Sequence, residues 1–440
     1  MDVGRVVIAE VKLWGRTIGA VSDEGDGGAC TFQYDSEFAQ SGIQLSPLVM
    51  PLAVPPYAFP ALPRETFHGL PGLLADSLPD RFGNALINAW LATQGRQADS
   101  FGALERLCYT GTRGMGALEF APNLGPRSRA AKQIEIDSLV QLAGEVLTNQ
   151  NNLLAHFDEE GKAQALKDIL SVGTSAGGAR AKAVIAWNAE TKEVRSGQIS
   201  AGDGFEYWIL KFDGVKGNKD KELEDATGFG AIEYAYYRMA QAAGIAMSEC
   251  RLLEESGRRH FMTRRFDRLA GGEKVHMQSL CALAHFDFNH AGAYSYEQAL
   301  LTMRQLKLPM HEIEEQFRRM VFNIVARNQD DHVKNIAFLM NKQGEWRLSP
   351  AFDVTYSYNP NGLWTAAHQM TMNGKRDGFV LADFAACAKV AQMKRGFVMS
   401  TIDKIQAAVR RWPEFAADAR VPGDVTMQIQ NAHRLVFSRG

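Results

Sequence analysis

The stretch "HEIEEQFRRMVFNIVARNQDDHVKN", residues 311 to 335, constrains the fold more tightly than any other in the chain. Ile313, Phe317, Met320, Val321, Ile324 and Val325 recur at the spacing of one helical face, so a core-facing helix is predicted up to about Arg327. That helix must hand over a polar octet, "NQDDHVKN", as a loop. Asn and Asp clusters after a helix also serve as plain turn and capping residues, so the octet alone leaves two readings open. The downstream segment narrows them. "NIAFLMNKQGEWRLSPAFD" reads as a hairpin with its tip at Gly344, and Asn335 and Asp353 each lie nine residues from that glycine. The spacing predicts that the two are near neighbours across the strand pair, beside Asp330.

Composition excludes several functions. Lys and Arg number 48 against 50 Asp and Glu, a formal net charge of -2, so no global basic field points to nucleic acid or a membrane surface. The five cysteines never approach Cys-x-x-Cys spacing and read as reduced core thiols. In "HFDFNH", His285 and His290 lack the spacing of a zinc site and read as a polar loop. No apolar run approaches the roughly 18 residues of a membrane span, and the expected location is the cytoplasm.

Organisation can be followed along the chain. "RVVIAEVKLWGRTIGAV" predicts a strand pair turning at Gly15, and the proline-dense stretch 51 to 72 excludes regular helix. Leu86, Ile87, Trp90 and Leu91 predict a helix ended by Gly95. A boundary is placed at the Pro, Gly and charge-rich linker near 125 to 135. Beyond it come a Gly and Ser-rich loop feeding a strand at 182 to 187, then "YWILKF" ending near Lys211. A helix carrying Glu233 comes next, and then a hairpin about "GRR". After about 275 the pattern is mostly helical, interrupted by the single hairpin described above.

Two oxygen donors beside a carboxylate suit Mg²⁺, which favours carboxylate and amide oxygens together with phosphate. Phosphoryl transfer needs such a set: a carboxylate to orient the attacking hydroxyl and metal-bound oxygens to neutralise phosphate charge. "DDHVKN" gives the Asp-x-x-x-x-Asn spacing of kinase catalytic loops, but "AFDVT" lacks the glycine of Asp-Phe-Gly. An ordinary eukaryotic-type kinase is therefore a poor match.

Taken in order, "SAGGARAK", "ILK", "RRFDR", "DDHVKN" and "SPAFD", with "PGLLADSLPDRFGN" upstream, resemble the HipA toxins, bacterial serine/threonine kinases paired with a small DNA-binding antitoxin. The resemblance runs over nearly the whole chain. It implies an α+β, two-lobed protein-kinase-like fold with an extra N-terminal α/β subdomain and a mostly helical C-terminal lobe. The implied divisions are an N-terminal subdomain at 1–125, a small lobe with the Gly/Ser-rich loop at 135–265, and a large lobe with the catalytic loop at 266–440. By position, Asp330 matches the catalytic base, and Asn335 and Asp353 match the Mg²⁺ ligands. Lys211 matches the lysine on the ATP phosphates; Glu233 either pairs with it or is a surface helix residue. His332 and Lys334 match nucleotide contacts. Gly177, Gly178, Ala179, Arg180, Ala181 and Lys182 match the phosphate loop, although the family frequently has Gln-Glu where this chain has Arg180-Ala181. Arg264, Arg265 and Phe266 match the adenine hinge, with Asp267 near the ribose, although an acidic residue often stands at the Arg264 position. Ser175 matches the autophosphorylated serine, with Ser171 and Thr174 as close rivals.

The resemblance further implies ATP and Mg²⁺ as cofactors and a HipB-like helix-turn-helix antitoxin as partner, with DNA reached only through the antitoxin complex. It implies a growth-arresting toxin whose target class is the aminoacyl-tRNA synthetases, glutamyl-tRNA synthetase first. Two other functions fit the same residues: a small-molecule kinase, or a catalytically silent co-repressor. The intact set of Asp330, Asn335, Asp353 and Lys211 speaks against the latter.

Overall fold

In the computed structural model the described residues are 6–23, 28–125, 133–148, 169–170, 172–173, 180–215, 219–220, 223–224 and 228–439. The linker residues 126–132 lie outside them, as do Ser171, Thr174, Ser175, Gly177, Gly178 and Ala179.

The N-terminal alternation forms a sheet as expected. Strands β1 (Ile8–Leu13) and β2 (Arg16–Ser22) pair antiparallel through the turn at Gly15, whose φ of 82° suits a residue without Cβ. With β3 (Thr31–Tyr34) and β4 (Leu118–Ala121) they make a four-stranded sheet of order β3-β2-β1-β4. Ala9, Val11 and Leu13 point inward on alternate positions of β1. The proline-dense stretch is mostly irregular, but single helical turns, Arg64–Phe67 and Gly72–Ala75, begin directly after Pro63 and Pro71. A proline just before or at the first helical position gives up no intrahelical hydrogen bond, so it starts a turn as readily as it breaks one.

The second sheet has the order β10-β11-β7-β5-β6, from β5 (Lys182–Trp187), β6 (Val194–Ser196), β7 (Glu206–Lys211), β10 (Cys250–Glu255) and β11 (Arg258–Arg264). A short ribbon of β8 (Lys219–Asp220) and β9 (Leu223–Glu224) stands apart from it. The turn between β10 and β11 is Ser256-Gly257, both at positive φ, rather than "GRR"; Arg258 and Arg259 belong to the strand. Two consecutive left-handed residues are what a tight two-residue hairpin demands. Every residue of β5 is buried. One cover is the pair of helices Arg81–Thr93 and Ile136–Thr148, which place Phe82, Leu86, Leu139 and Val146 in one core with Ala183, Ile185 and Trp208. Helix Phe229–Ala242 lies against β10 and β11.

The last part is helical, as its pattern predicts, but its hairpin has company. Strands β13 (Ala337–Met340) and β14 (Trp346–Leu348) are joined by β12 (His276–Ser279) in a three-stranded sheet of order β12-β13-β14. Phe338 pairs with Leu348, so the hairpin is centred on Gln343 and the extended partner of Asn335 is Ala351 rather than Asp353. The Asn341 side chain accounts for this register, because its Oδ1 accepts from the N–H groups of Gln343 and Glu345. Helix Met310–Ala326 buries all six apolar residues of its face and ends at Arg327 in the left-handed conformation. No helix among the described residues is long and apolar enough to cross a membrane.

The first and last parts share one core. Val11, Phe32, Leu73 and Leu74 belong to the same buried cluster as Leu280, Leu283, Phe317 and Phe338. At the seam, the Gly72 N–H donates to His285 Nε2 at 3.0 Å, and burial pushes that imidazole down to about 4, keeping it a neutral acceptor. A Cβ on Gly72 would come within 2.4 Å of the Ala282 carbonyl oxygen. Gly72→Ala is therefore expected to push the N-terminal turn off the short helix Leu280–Ala284 and to cost about 1–3 kcal/mol. Urea unfolding reads this, and an unchanged midpoint would show that the seam yields without strain.

Candidate active site

Lys211 ends β7, and Glu233 sits one turn into helix Phe229–Ala242 behind it. The Lys211 ammonium donates to Glu233 Oε1 at 2.6 Å and also to Asp353 Oδ1. Glu233 is 2% exposed, which settles it as a partner of the lysine and not a surface residue. Burial works against the charge on Lys211, but the two carboxylates outweigh it and raise its pKa above the usual lysine value. Asp353 is held below the usual carboxylate range: burial opposes its ionisation, while Lys211 and then Lys182 more than compensate. Its backbone has a φ of 51°, left-handed, a conformation Asp tolerates better than most side chains.

Lys182, opening β5, lies directly opposite Lys211 in the strand register. Like charges so placed repel, and each needs its own counter-ion. For Lys182 it is Asp80, 3.5 Å away and just as deeply buried. Asp80 also caps helix Arg81–Thr93 by accepting from the Gly83 N–H at 2.7 Å. One carboxylate thus ties the N-terminal part of the chain to the second sheet.

The octet forms the facing wall. Asp330 and Asp331 are adjacent but differ in burial. Asp331 is buried and accepts from Tyr296 Oη at 2.5 Å and the Gln369 N–H at 2.7 Å, with His368 Nδ1 at 2.8 Å. Burial disfavours its charge, yet His368 and these donors hold its pKa below the ordinary value. Asp330 keeps 28% of its side chain exposed and lines the cavity. Asn335 Nδ2 donates to the Asp330 carbonyl oxygen at 2.9 Å, and Trp364 Nε1 donates to the Asp330 carboxylate at 2.7 Å.

Between the walls is a cavity of about 350 Å³. The structure brings Arg180, Lys182, Lys211, Asp330, His332, Lys334, Asn335 and Asp353 to it. Arg180 lies over the Phe229 ring and Lys334 over Phe288. Ala181 is buried in the core behind β5. The segment 264 to 267 does not line the cavity. The N–H groups of Arg264 and Arg265 are spent on the carbonyls of Glu249 and Tyr207, and the Arg264 side chain pairs with Glu206 at 2.9 Å. Phe266 packs on the ring of Phe352, which does line the cavity. Asp267 is likewise absent from the cavity wall. It is buried, with its oxygens on Arg265 at 2.7 Å, Arg268 at 2.8 Å and the Gly116 N–H at 2.7 Å.

Sequence reasoning missed one wall. Thr66, His68, Asp76, Asp80 and Asn84 reach the cavity from the N-terminal part, and Met115 and Met277 add apolar surface. Asp80 before a helical pattern signals an N-cap, and nothing local marks it as a partner of Lys182. Trp364 was missed too, because it approaches Asp330 from 34 residues away.

Among the described residues no group of three or more His, Cys, Asp or Glu is gathered as a metal site. One carboxylate and one amide, Asp353 and Asn335, nevertheless fit Mg²⁺, which usually takes the rest of its shell from phosphate and water. The Asn335 amide nitrogen is already committed to Asp330, which leaves its oxygen as the end to offer a cation.

The family model described as HipA-like C-terminal domain matches residues 174–412, and that described as HipA N-terminal domain matches residues 9–121. The chain belongs to the HipA family. Its fold is similar to that of a chain in the Shewanella oneidensis MR-1 toxin–antitoxin complex of HipA, HipB and operator DNA. The TM-score is 0.67 at 17% identity, over 96% of each chain. The Helicobacter pylori proinflammatory kinase CtkA matches at a TM-score of 0.32 and 12% identity, over 51% of this chain and 84% of that one. No curated protein matches the sequence. The HipA-like kinase fold accounts for the mixed first lobe and the helical second one.

The Asp267 cluster generates a pH prediction. Burial opposes its ionisation, but Arg265 and Arg268 lower its pKa below the ordinary 3.8. Its stabilisation is therefore complete above that value and is lost as pH falls below it toward the depressed folded value. Asp267→Asn, which strands a buried Arg265, is expected to cost about 3–5 kcal/mol at neutral pH. It should also flatten the dependence of unfolding free energy on pH on the acid side of 3.8. Urea titrations at neutral and acid pH check both, and equal stability at neutral pH would contradict the role.

Proposed function

We propose that the protein is a Mg·ATP-dependent serine/threonine protein kinase, the toxin of a toxin–antitoxin pair. Its proposed target class is the aminoacyl-tRNA synthetases, with glutamyl-tRNA synthetase first. The observation that carries the catalytic reading is the Lys211–Glu233 ion pair of 2.6 Å, with Asp353 on the same lysine, in one cavity with Asp330 and Asn335. A lysine made permanently cationic by two carboxylates is built to meet phosphate. Bound Mg·ATP would supply the γ-phosphoryl group and the cation that neutralises phosphate charge.

The chain's own residues do the rest. Asp353 and the Asn335 oxygen would hold the metal, and Lys211, Lys182 and Arg180 would face the phosphates. Lys334 and His332 stand on the side of Asp330. Asp330 would orient the acceptor hydroxyl and take its proton as the oxygen–phosphorus bond forms. Segment 264 to 267 is left out of the nucleotide-holding set, since the N–H groups of Arg264 and Arg265 and the Asp267 carboxylate are already engaged. The helix-turn-helix antitoxin and the operator reached through it are proposed as partners because the Shewanella HipA was solved with both. A cytoplasmic location follows from a synthetase target.

Asp330→Asn is expected to lower phosphoryl transfer by about 10²-fold or more while leaving the fold intact. Labelled-phosphate incorporation at the wild-type rate by this variant would overturn the assignment of the base. Autoinhibition is proposed through Ser175, with Ser171 and Thr174 as the neighbouring candidates. A phosphoserine carries roughly −1.5 to −2 charges at neutral pH, which cannot share a cradle with the phosphates of ATP. After incubation with Mg·ATP, peptide mass spectrometry should find phosphate within residues 171 to 182, and the modified species should bind ATP poorly. Phosphate found only elsewhere would refute the switch.

A further inference from the structure

The segment from Trp364 to Gln369 is fastened to the catalytic loop at several points. Gln369 Nε2 donates to the Trp364 carbonyl at 2.6 Å and reaches the Gln329 carbonyl at 3.1 Å. The Gln369 N–H and His368 Nδ1 meet the two oxygens of Asp331. His368 is backed in turn by Arg434, with Nη1 at 3.4 Å from His368 Nε2. These contacts hold the residues on either side of Asp330, Gln329 by its carbonyl and Asp331 by its carboxylate. One more lands on its functional group: the Trp364 indole N–H on carboxylate Oδ1 at 2.7 Å.

A buried indole N–H commonly finds some acceptor, so a hydrogen bond by itself would be unremarkable. The choice of acceptor is what carries weight. Backbone carbonyls of residues 329 and 367 lie beside this segment, within reach of Gln369, yet the indole meets the only carboxylate of the loop that faces the cavity. A carboxylate offers about four lone-pair sites, so one donor leaves capacity for an acceptor hydroxyl. That donor favours one orientation of the Asp330 carboxylate. His332 Nε2, 3.8 Å from the same oxygen, is too far to provide this restraint.

We propose that Trp364 is a positioning residue for phosphoryl transfer, fixing the Asp330 carboxylate in the orientation in which it meets the acceptor hydroxyl. This rests on the kinase reading above. Trp364 touches neither nucleotide nor acceptor in this role; it acts through Asp330.

The test is Trp364→Phe, which keeps an aromatic ring and deletes the donor, checked for folding by thermal melting. Single-turnover transfer at saturating Mg·ATP should fall by about 10- to 100-fold, the scale of a misplaced reacting group. Mg·ATP affinity by calorimetry should stay as in the wild type. A loss confined to the transfer rate, with nucleotide affinity kept, is what a merely structural role would not produce. A folded variant with an unchanged transfer rate overturns the proposal while the kinase reading stands. A wild-type protein that transfers no phosphate to any protein, itself included, overturns both. A second measurement does not depend on the variant folding. In spectra of nitrogen-labelled tryptophan side chains, the Trp364 indole resonance should shift in Asp330→Asn, and an unmoved resonance also overturns the proposal.

Discussion

The ammonium of Lys211 between Glu233 and Asp353 is the interaction on which the site depends, because it joins three parts that no local rule brings together. β7 supplies the lysine, the helix behind the sheet supplies Glu233, and the segment after β14 supplies Asp353. Each charge would be costly to bury alone. Assembled, they are mutually neutralised, and breaking the set by removing one member leaves an uncompensated charge in a low-dielectric cleft. Lys182 and Asp80 repeat the arrangement one strand away, with the N-terminal part of the chain as the source of the counter-ion. The cleft is therefore closed from three directions by charge pairing, and the apolar cores behind it set how far the parts can shift.

Opposite this cationic wall, exposure and support are divided between neighbours. Asp331 is wholly committed to Tyr296, His368 and Gln369, and in that state it is a strut. Asp330 keeps part of its side chain exposed and faces the cavity. The sequence "DD" disguises this division, since two adjacent carboxylates look interchangeable until burial separates them. Alternation of side-chain direction through an extended loop is enough to send one inward and the next into the cleft.

Range in the sequence decides how much could be read beforehand. Helix Met310–Ala326, the strands flanking Lys211 and the turn at Gly15 are specified by residues within one or two turns of one another, and periodicity exposes them. The gathering of Asp330, Asn335, Asp353 and Lys211 in one cavity was legible through short motifs in a fixed order. The hairpin register was missed because the capping side chain of Asn341 moves its centre to Gln343. β12 was missed because its partner strand lies some 60 residues downstream. The burial of Asp267 was hidden as well: "RRFDR" shows two arginines beside an acid, and only the Gly116 N–H, from 151 residues away, completes the closed cluster.

The seam between the N-terminal part and the large lobe also bears on synthesis. Asp76 accepts from the N–H and hydroxyl of Ser279, 203 residues later, and Trp346 reaches back 302 residues to the Gln44 carbonyl. At a synthesis rate of about 5–20 residues per second, the Asp76 contact must wait roughly 10–40 seconds for its partner. During that interval the apolar faces of Leu73 and Leu74 have no large-lobe core to enter. A nascent chain in this condition has no assembled cleft and offers a chaperone an exposed surface. The topology therefore delays the appearance of the cleft until most of the polypeptide has been made, so translation runs ahead of activity.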